Sequence, residues 1–246
     1  MPTTSVIIPA AGAGRRFVAT AAAERTPAAA APQGKVFAML AGRPVLAHTL
    51  ARFAAVEDVV EVVVAVAADR VAWAAETFGR EIAPGHRLVF TAGGQDRTES
   101  VERALAATDP RTEIVAIHDA VRPLIRPAVI AEAIRVAAQS GAAVVGRPVD
   151  HTVKRVADGR RVVETVPRDR LWLAQTPQVF RRELLMRAYA ERRRVTAAVT
   201  DDAQLIEAMG LAVYMVQGDA ANLKITTPED LGLCEALLAA GWPFEK

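Results

Sequence analysis

The sequence predicts an α/β fold: a Rossmann-like three-layer α/β/α sandwich around a mostly parallel mixed sheet, with a projecting β-hairpin arm. Three observations predict it. Short β-rich runs alternate with longer helical patterns, as successive βαβ units require. The early runs are mostly apolar, Val59 to Val66 with Glu61 as its one polar residue, which fits strands covered on both faces. Late in the chain Asp158-Gly159, a two-residue turn signal, separates two runs too charged to join that core.

In order, Val6 to Pro9 reads as a buried strand, Val45 to Ala55 as a helix and Val59 to Val66 as a strand. Asp69 to Phe78 is helical, Arg87 to Thr91 a strand, Arg97 to Ala107 helical and Glu113 to Ile117 a strand. Arg126 to Gln139 and Ala142 to Gly146 repeat the pair. His151 to Ala157 and Arg160 to Val166 form the hairpin, inside an arm spanning about 147–170. Such an arm either pairs with a second subunit or stands as a solvated flap; we expect the former, and so a homodimer. Arg181 to Arg192 and Asp201 to Met209 return to helix, and Leu211 to Val216 reads as a strand. The last helix starts at Thr227, an N-cap followed by Pro228, with Asp230 placed to close a capping box. Ala19 to Pro32, rich in alanine and broken by two prolines, reads as a functional or disordered loop.

The 246 residues, 52% of them hydrophobic, suffice for one large domain spanning 1–246. Thirty basic residues stand against 28 acidic ones without a basic stripe, which argues against a nucleic-acid partner. The short run Arg192 to Arg194 reads as a solvated face. The one cysteine, Cys234, rules out an internal disulfide and a cysteine-built zinc site, and reads as a buried thiol. No apolar run reaches the roughly 18 residues of a membrane span, and the N-terminal residues do not read as a signal peptide. The expectation is a soluble cytoplasmic protein with no membrane or nucleic-acid partner.

The first strand runs into Ala10-Ala11-Gly12-Ala13-Gly14-Arg15-Arg16-Phe17. Small residues let the backbone approach a ligand, and successive N–H groups form an anion-binding concavity. A dinucleotide fingerprint needs a small third residue where Phe17 stands, and a P-loop needs a Gly-Lys-Ser/Thr that is missing. A plain tight turn also accounts for Gly-x-Gly alone; the two arginines that follow favour a polyphosphate.

Pro9-Ala10-Ala11-Gly12-x-Gly14-x-Arg16 resembles the signature loop of the sugar-nucleotide pyrophosphorylase superfamily, and within it of the 2-C-methyl-D-erythritol 4-phosphate cytidylyltransferases. Further segments match in order: Gly93-Gly94 with Arg97 and Ser100-Val101, His118 to Pro123, Asp150 to Lys154, Gln175 to Gln178, Thr200 to Ala203 and Asn222 to Thr226. The chain departs from the family pattern at His151, at Pro167 and in a longer loop before Lys35.

The resemblance implies attack by a phosphate monoester oxygen on the α-phosphorus of CTP. That chemistry needs fixed cations and backbone donors more than a general base. By the resemblance, Ala10, Ala11, Gly12, Ala13 and Gly14 bind the nucleotide, and Arg16, Lys35, Lys224 and Arg168 are catalytic. Gly93, Gly94 and Ser100 frame cytosine and ribose. Asp119, Arg122, Thr152, Arg168, Thr176 and Thr200 meet the polyol phosphate, Arg168 reaching the partner's site in a dimer. Mg²⁺ is expected, held mainly by the CTP phosphates; no protein metal ligand is assigned. Blander readings stay open. Arg16, Lys35 and Lys224 could be surface cations, Gly93-Gly94 a plain turn, and Asp119 and Thr200 helix caps. A ribitol 5-phosphate cytidylyltransferase, an NAD(P)-dependent oxidoreductase and a non-catalytic nucleotide binder are the competing functions.

Overall fold

The computed structural model describes residues 2–12, 17, 34–79, 81, 85–195 and 199–242. Strand β1 (Thr4–Pro9) is followed, past a 3-10 turn at Lys35–Phe37, by a small hairpin of β2 (Met39–Leu40) and β3 (Arg43–Pro44). Helix α1 (Val45–Ala54) leads to β4 (Val59–Val66), α2 (Val71–Phe78), β5 (Arg87–Ala92), α3 (Arg97–Ala106) and β6 (Ile114–Ile117). Then come α4 (Pro127–Ser140), β7 (Ala142–Pro148), the hairpin of β8 (Val153–Val156) and β9 (Val162–Val166), and β10 (Trp172–Arg181). Helices α5 (Arg182–Glu191) and α6 (Ala203–Ala208), strand β11 (Tyr214–Gln217) and helix α7 (Pro228–Ala239) complete the described chain.

The main sheet has seven strands among the described residues, in the order β11-β7-β10-β6-β1-β4-β5. Every neighbouring pair is parallel except the two made by β10, which lies antiparallel between β6 and β7. Successive residues of a strand face opposite sides, and here both sides are covered. Val6 and Ile8 of β1 pack with Leu46, Leu50, Phe53, Ile130, Ile134 and Cys234 from α1, α4 and α7. Ile7 and Val63 pack on the opposite face with Val101, Leu105, Leu185 and Leu205 from α3, α5 and α6. The three-layer sandwich with a mostly parallel mixed sheet follows from those apolar runs. Among the described residues no helix is long and apolar enough to cross a membrane.

The structure differs from the sequence expectations in four places. Strand β10 carries Gln175, Pro177 and Gln178, has no alternating pattern and was not expected as a strand. It holds its place through partners on both edges. Its pairing with β7 shifts register between Ala174 and Gln178, and the Thr176–Pro177 bond inside that shift is cis. The hairpin turn is not the two-residue turn expected at Asp158-Gly159. It runs over Ala157 to Arg161, closed by an Ala157 N–H to Arg161 O bond of 2.9 Å, with Gly159 and Arg160 both at positive φ. The segment from Asp69 opens with a 3-10 turn, Ala68–Arg70, before α2 proper. Strand β11 starts at Tyr214, after Gly210 has turned at φ 72°. The stretch 19–32, expected to be a loop, lies outside the described residues.

The acid of the expected capping box works on two groups: Asp230 Oδ2 accepts from the N–H of Thr226 at 2.8 Å and of Thr227 at 2.9 Å. Both are donors that a helix start cannot satisfy internally. Asp230→Ala should therefore cost about 1 kcal/mol of unfolding free energy. A urea midpoint unchanged from wild type would exclude this contribution.

Candidate active site

Strand β1 ends on a bend of small residues, and the Ala10 N–H is tied to Ala65 O of the neighbouring β4 at 2.7 Å. The bend forms one wall of a cavity of about 410 Å³ at the carboxyl ends of β1, β5 and β6, where open α/β sheets bind ligands. Lys35, Arg97, Ser100, Asp119 and Lys224 supply much of the polar remainder. A Cβ built on Gly12 would meet nothing within 4 Å among the described residues. Packing among the described residues does not require a glycine there, and the open space would admit a ligand against the backbone. Gly93 and Gly94 are different. A Cβ on Gly93 would come 2.4 Å from Ala11 Cβ, and one on Gly94 2.4 Å from Glu99 Cβ. These glycines let the turn after β5 press against the bend. Ser100 holds that turn, accepting from Gly94 N–H at 3.0 Å and donating to Asp96 O at 2.7 Å.

Asp119 sits at the centre of the charged groups, with only 10% of its side chain exposed. Lys224 Nζ lies 2.9 Å from Oδ2, Arg122 Nε 3.2 Å from the same oxygen, and Arg97 Nε 3.8 Å from Oδ1. Burial alone would raise this carboxyl's pKa, but Lys224, Arg122 and Arg97 together hold it well below the usual carboxylate range. Arg97 belongs more closely to Asp202, whose Oδ2 lies 2.7 Å from Nη1. Burial works against the Arg97 charge, yet Asp202 and Asp119 keep its pKa raised. Tyr189 completes the Asp202 carboxylate by donating to Oδ1 at 2.5 Å; burial, then Asp202, pushes the phenol well above its ordinary value. Lys35 Nζ donates to Ile225 O at 3.1 Å, so the two pocket lysines converge although 189 positions separate them in sequence.

Beneath this layer lies a polar support. Asn222 Nδ2 donates to Gln175 Oε1 at 3.1 Å and to Thr176 O at 3.0 Å, while Arg122 Nη1 donates to Asn222 O at 2.8 Å. Gln178 Oε1 accepts from the N–H groups of Asp202 and Ala203, and its Nε2 donates to Asp201. Strand β10 thereby fixes both the segment before α6 and the segment that carries Lys224.

The structure brings together Ala10, Ala11, Gly12, Lys35, Gly94, Ser100, Asp119 and Lys224 on one cavity, with Gly93 packed against Ala11. Arg122 and Thr176 lie next to Asp119 but mostly buried. Thr152 and Arg168 stand exposed on the hairpin arm, outside the cavity lining, where Arg168 donates to Asp150 O. Thr200 is exposed and its Oγ1 donates to Gln204 Oε1 at 3.2 Å; it does not cap the helix, whose N-cap position is Asp202. Ala13, Gly14 and Arg16 lie outside the described residues. Phe17 is buried in the core, a place a dinucleotide-binding loop would need for a small residue. Arg97, Asp202 and Tyr189 received no role from the sequence; Arg97 and Asp202 each lie within a matched segment, and Tyr189 lies in none.

His118 is fully buried, and desolvation pushes its imidazole down to about 4. In the unfolded chain a histidine takes up a proton near 6.5. Between those values the unfolded state binds more protons than the folded one, so stability falls as pH drops from about 6.5 towards 4. His48, also lowered chiefly by burial, acts in the same direction. The depressed Asp119 acts only below the ordinary carboxylate value. We expect a loss of roughly 3 kcal/mol from His118 across its window. Urea unfolding at pH 7 and at pH 4.5 measures it, and equal free energies would contradict the assignment.

A family model described as 2-C-methyl-D-erythritol 4-phosphate cytidylyltransferase matches residues 4–240. A protein of that name from Acidobacterium capsulatum is 45% identical over 235 residues, covering 93% of this chain and 94% of its own. Another from Solibacter usitatus is 43% identical over 237 residues, covering 95% of each. The crystal structure of the enzyme so named from Thermus thermophilus superposes with a TM-score of 0.74 at 36% identity, over 96% of this chain and 99% of that one. Matches of that length and identity, on the fold and cavity described above, mean that the chain belongs to the 2-C-methyl-D-erythritol 4-phosphate cytidylyltransferase family.

Proposed function

We propose that the chain transfers CMP from CTP to 2-C-methyl-D-erythritol 4-phosphate, in the non-mevalonate route to isoprenoids. A phosphate oxygen of the acceptor bonds to the α-phosphorus of CTP, the bond from that phosphorus to the α–β bridging oxygen breaks, and pyrophosphate leaves. Family membership supports the reading, and one structural observation carries it: Lys35 and Lys224 meet across a cavity walled by the Ala10–Gly12 bend. Two anions must approach each other there. The acceptor phosphate needs no base, since its second pKa is about 6; the protein's task is positioning and charge stabilisation.

In this reading the backbone of Ala10, Ala11, Gly12, Ala13 and Gly14 cradles the triphosphate. Arg16 and Lys35 stabilise the charge that develops on it, and Lys224 bridges nucleotide and acceptor phosphates. Gly93 and Gly94, shaped by Ser100, frame cytosine and ribose. Asp119 holds Lys224 and Arg122 in place, and Arg122 and Thr176 form the floor of the acceptor side with Thr200 at its edge. Thr152 and Arg168 stand outside the cavity of their own chain, which supports a homodimer in which each arm serves the other site. The exposed apolar side chains of that arm, Val156, Val162 and Val163, suit the same arrangement.

Among the described residues no group of three His, Cys, Asp or Glu side chains could form a metal cage. Asp119 is a cavity-lining carboxylate beside cationic groups. That donor set fits Mg²⁺ bound through substrate phosphates with at most one or two carboxylates. When bound, the ion would neutralise phosphate charge, and Asp119 would be the protein group to meet it. The reaction belongs in the cytoplasm, where CTP is made.

Acceptor-dependent pyrophosphate release, compared across the four nucleoside triphosphates, tests the reading; CTP should be preferred. Turnover with ribitol 5-phosphate and none with the methylerythritol phosphate would overturn the acceptor. Arg16→Ala and Lys35→Ala should each lower kcat by about 10² to 10³, the usual cost of one lost transition-state contact. Either purified variant with wild-type kcat loses its assigned role.

A further inference from the structure

The imidazole of His118 lies between two acceptor-side residues and touches both. Its Nδ1 is 3.1 Å from Thr176 Oγ1 and its Nε2 is 3.1 Å from Arg122 O. Phe53 packs against the ring, its centroid 4.9 Å away and its plane at 66° to the imidazole. The side chain is sealed from solvent, so these bonds have no water to replace them.

The donor directions can be worked out from the partners. Arg122 O can only accept, so Nε2 carries the ring hydrogen. A neutral imidazole has one N–H, so Nδ1 accepts. Thr176 must then donate its hydroxyl hydrogen to Nδ1, while its oxygen accepts from the Asp119 N–H at 3.0 Å. The result is one directed relay: Asp119 N–H to Thr176 Oγ1, Thr176 O–H to His118 Nδ1, His118 Nε2–H to Arg122 O. Its first and last members flank the Asp119–Arg122 ion pair of 3.2 Å. The hydroxyl of Thr176 has spent its hydrogen inside the protein, and towards any ligand it can only accept.

We propose that His118 is a positioning residue for the acceptor half of the site, setting the polarity of the Thr176 hydroxyl and the main chain of Arg122 through its two ring nitrogens. The inference rests on the acceptor-side reading of Thr176 and Arg122 given above. It needs no proton transfer by His118. It assigns work to a buried histidine that the chemistry does not use as a base, and it separates that work from plain core filling, for which Leu or Phe would serve.

Steady-state kinetics of the full-length enzyme, with CTP and 2-C-methyl-D-erythritol 4-phosphate varied separately, carry the test. His118→Leu should raise KM for the acceptor about tenfold or more and leave KM for CTP within about twofold. His118→Asn, which can still accept from Thr176, and His118→Gln, which can still reach Arg122 O, should each recover part of that loss. Equal KM values for the acceptor in wild type and all three variants, with kcat following only the folded fraction, would overturn the proposal. Nitrogen-15 NMR of the wild-type imidazole tests it without any variant having to fold. A neutral ring protonated at Nε2 is expected, and a ring protonated at Nδ1 overturns it. Wild-type enzyme inactive towards this acceptor would sink the functional reading instead, while the NMR result would still decide the relay.

Discussion

The buried Asp119 carboxylate is the constraint on which the rest of the site depends. A carboxylate taken out of water costs several kcal/mol unless ionic partners replace the lost hydration. Three cations do so here, and they come from three separate parts of the chain: the start of α3, the loop after β6 and the segment before α7. Satisfying one acid thus pulls together elements that no local pattern would join. The exchange is not balanced, and the imbalance is useful. Among the described residues at the cavity and just beneath it, Lys35, Arg97, Arg122 and Lys224 outnumber Asp96, Asp119 and Asp202, which leaves an excess of positive charge. An anionic ligand completes that arrangement in a way that water does only weakly.

Strand β10 explains how the polar layer under the cavity is held. A parallel strand would deliver its carboxyl end to the ligand side, as β1 and β6 do. Running antiparallel, β10 instead passes its first half beside that end and anchors its second half between β6 and β7. At the register shift, five residues of β10, from Ala174 to Gln178, lie opposite three of β7, from Gly146 to Val144. The extra residues release Gln175 and Thr176 from the strict alternation of a strand. Gln175 can then meet Asn222, and Thr176 can meet His118 and the Asp119 N–H. The same irregularity that hides the strand from a periodicity argument supplies the side chains that the site needs.

Much of the fold was legible in the residues for a simple physical reason. Strands buried on both faces are apolar at most positions, and Val59–Val66, with Glu61 its one charge, and Ala142–Pro148, with Arg147 its one charge, advertise that directly. Helices α3 and α7 begin on residues that act locally: Asp96 accepts the Glu99 N–H at 2.8 Å, and Asp230 accepts those of Thr226 and Thr227. Legibility ended where tertiary partners decide the outcome. Nothing near Asp202 in sequence says that Arg97 and Tyr189 will meet it. Nothing near Pro177 announces a strand with neighbours on both edges. In the site, the bend and the two lysines were legible as a motif with a family resemblance. The inward, hydrogen-bonded state of Arg122, 11% exposed, was not, because a guanidinium's partners are set by folding and not by spacing.

The charge states of the central groups also explain why a site of this kind can work without a general base. Asp119 is held ionised by the cations around it, and His118 is held neutral by burial, with its ring hydrogen committed to Arg122 O. Neither changes charge near neutrality, so neither disturbs the hydrogen-bond directions between them. The acceptor's own phosphate, with a second pKa of about 6, is the group that gains nucleophilic charge in that range. A protein that must present fixed dipoles and cations to a reacting phosphate does best when its own ionisations lie far from the working pH. A buried carboxylate with three cationic neighbours and a desolvated imidazole achieve that by opposite routes: one is paired until it cannot take a proton, the other dried until it cannot keep one.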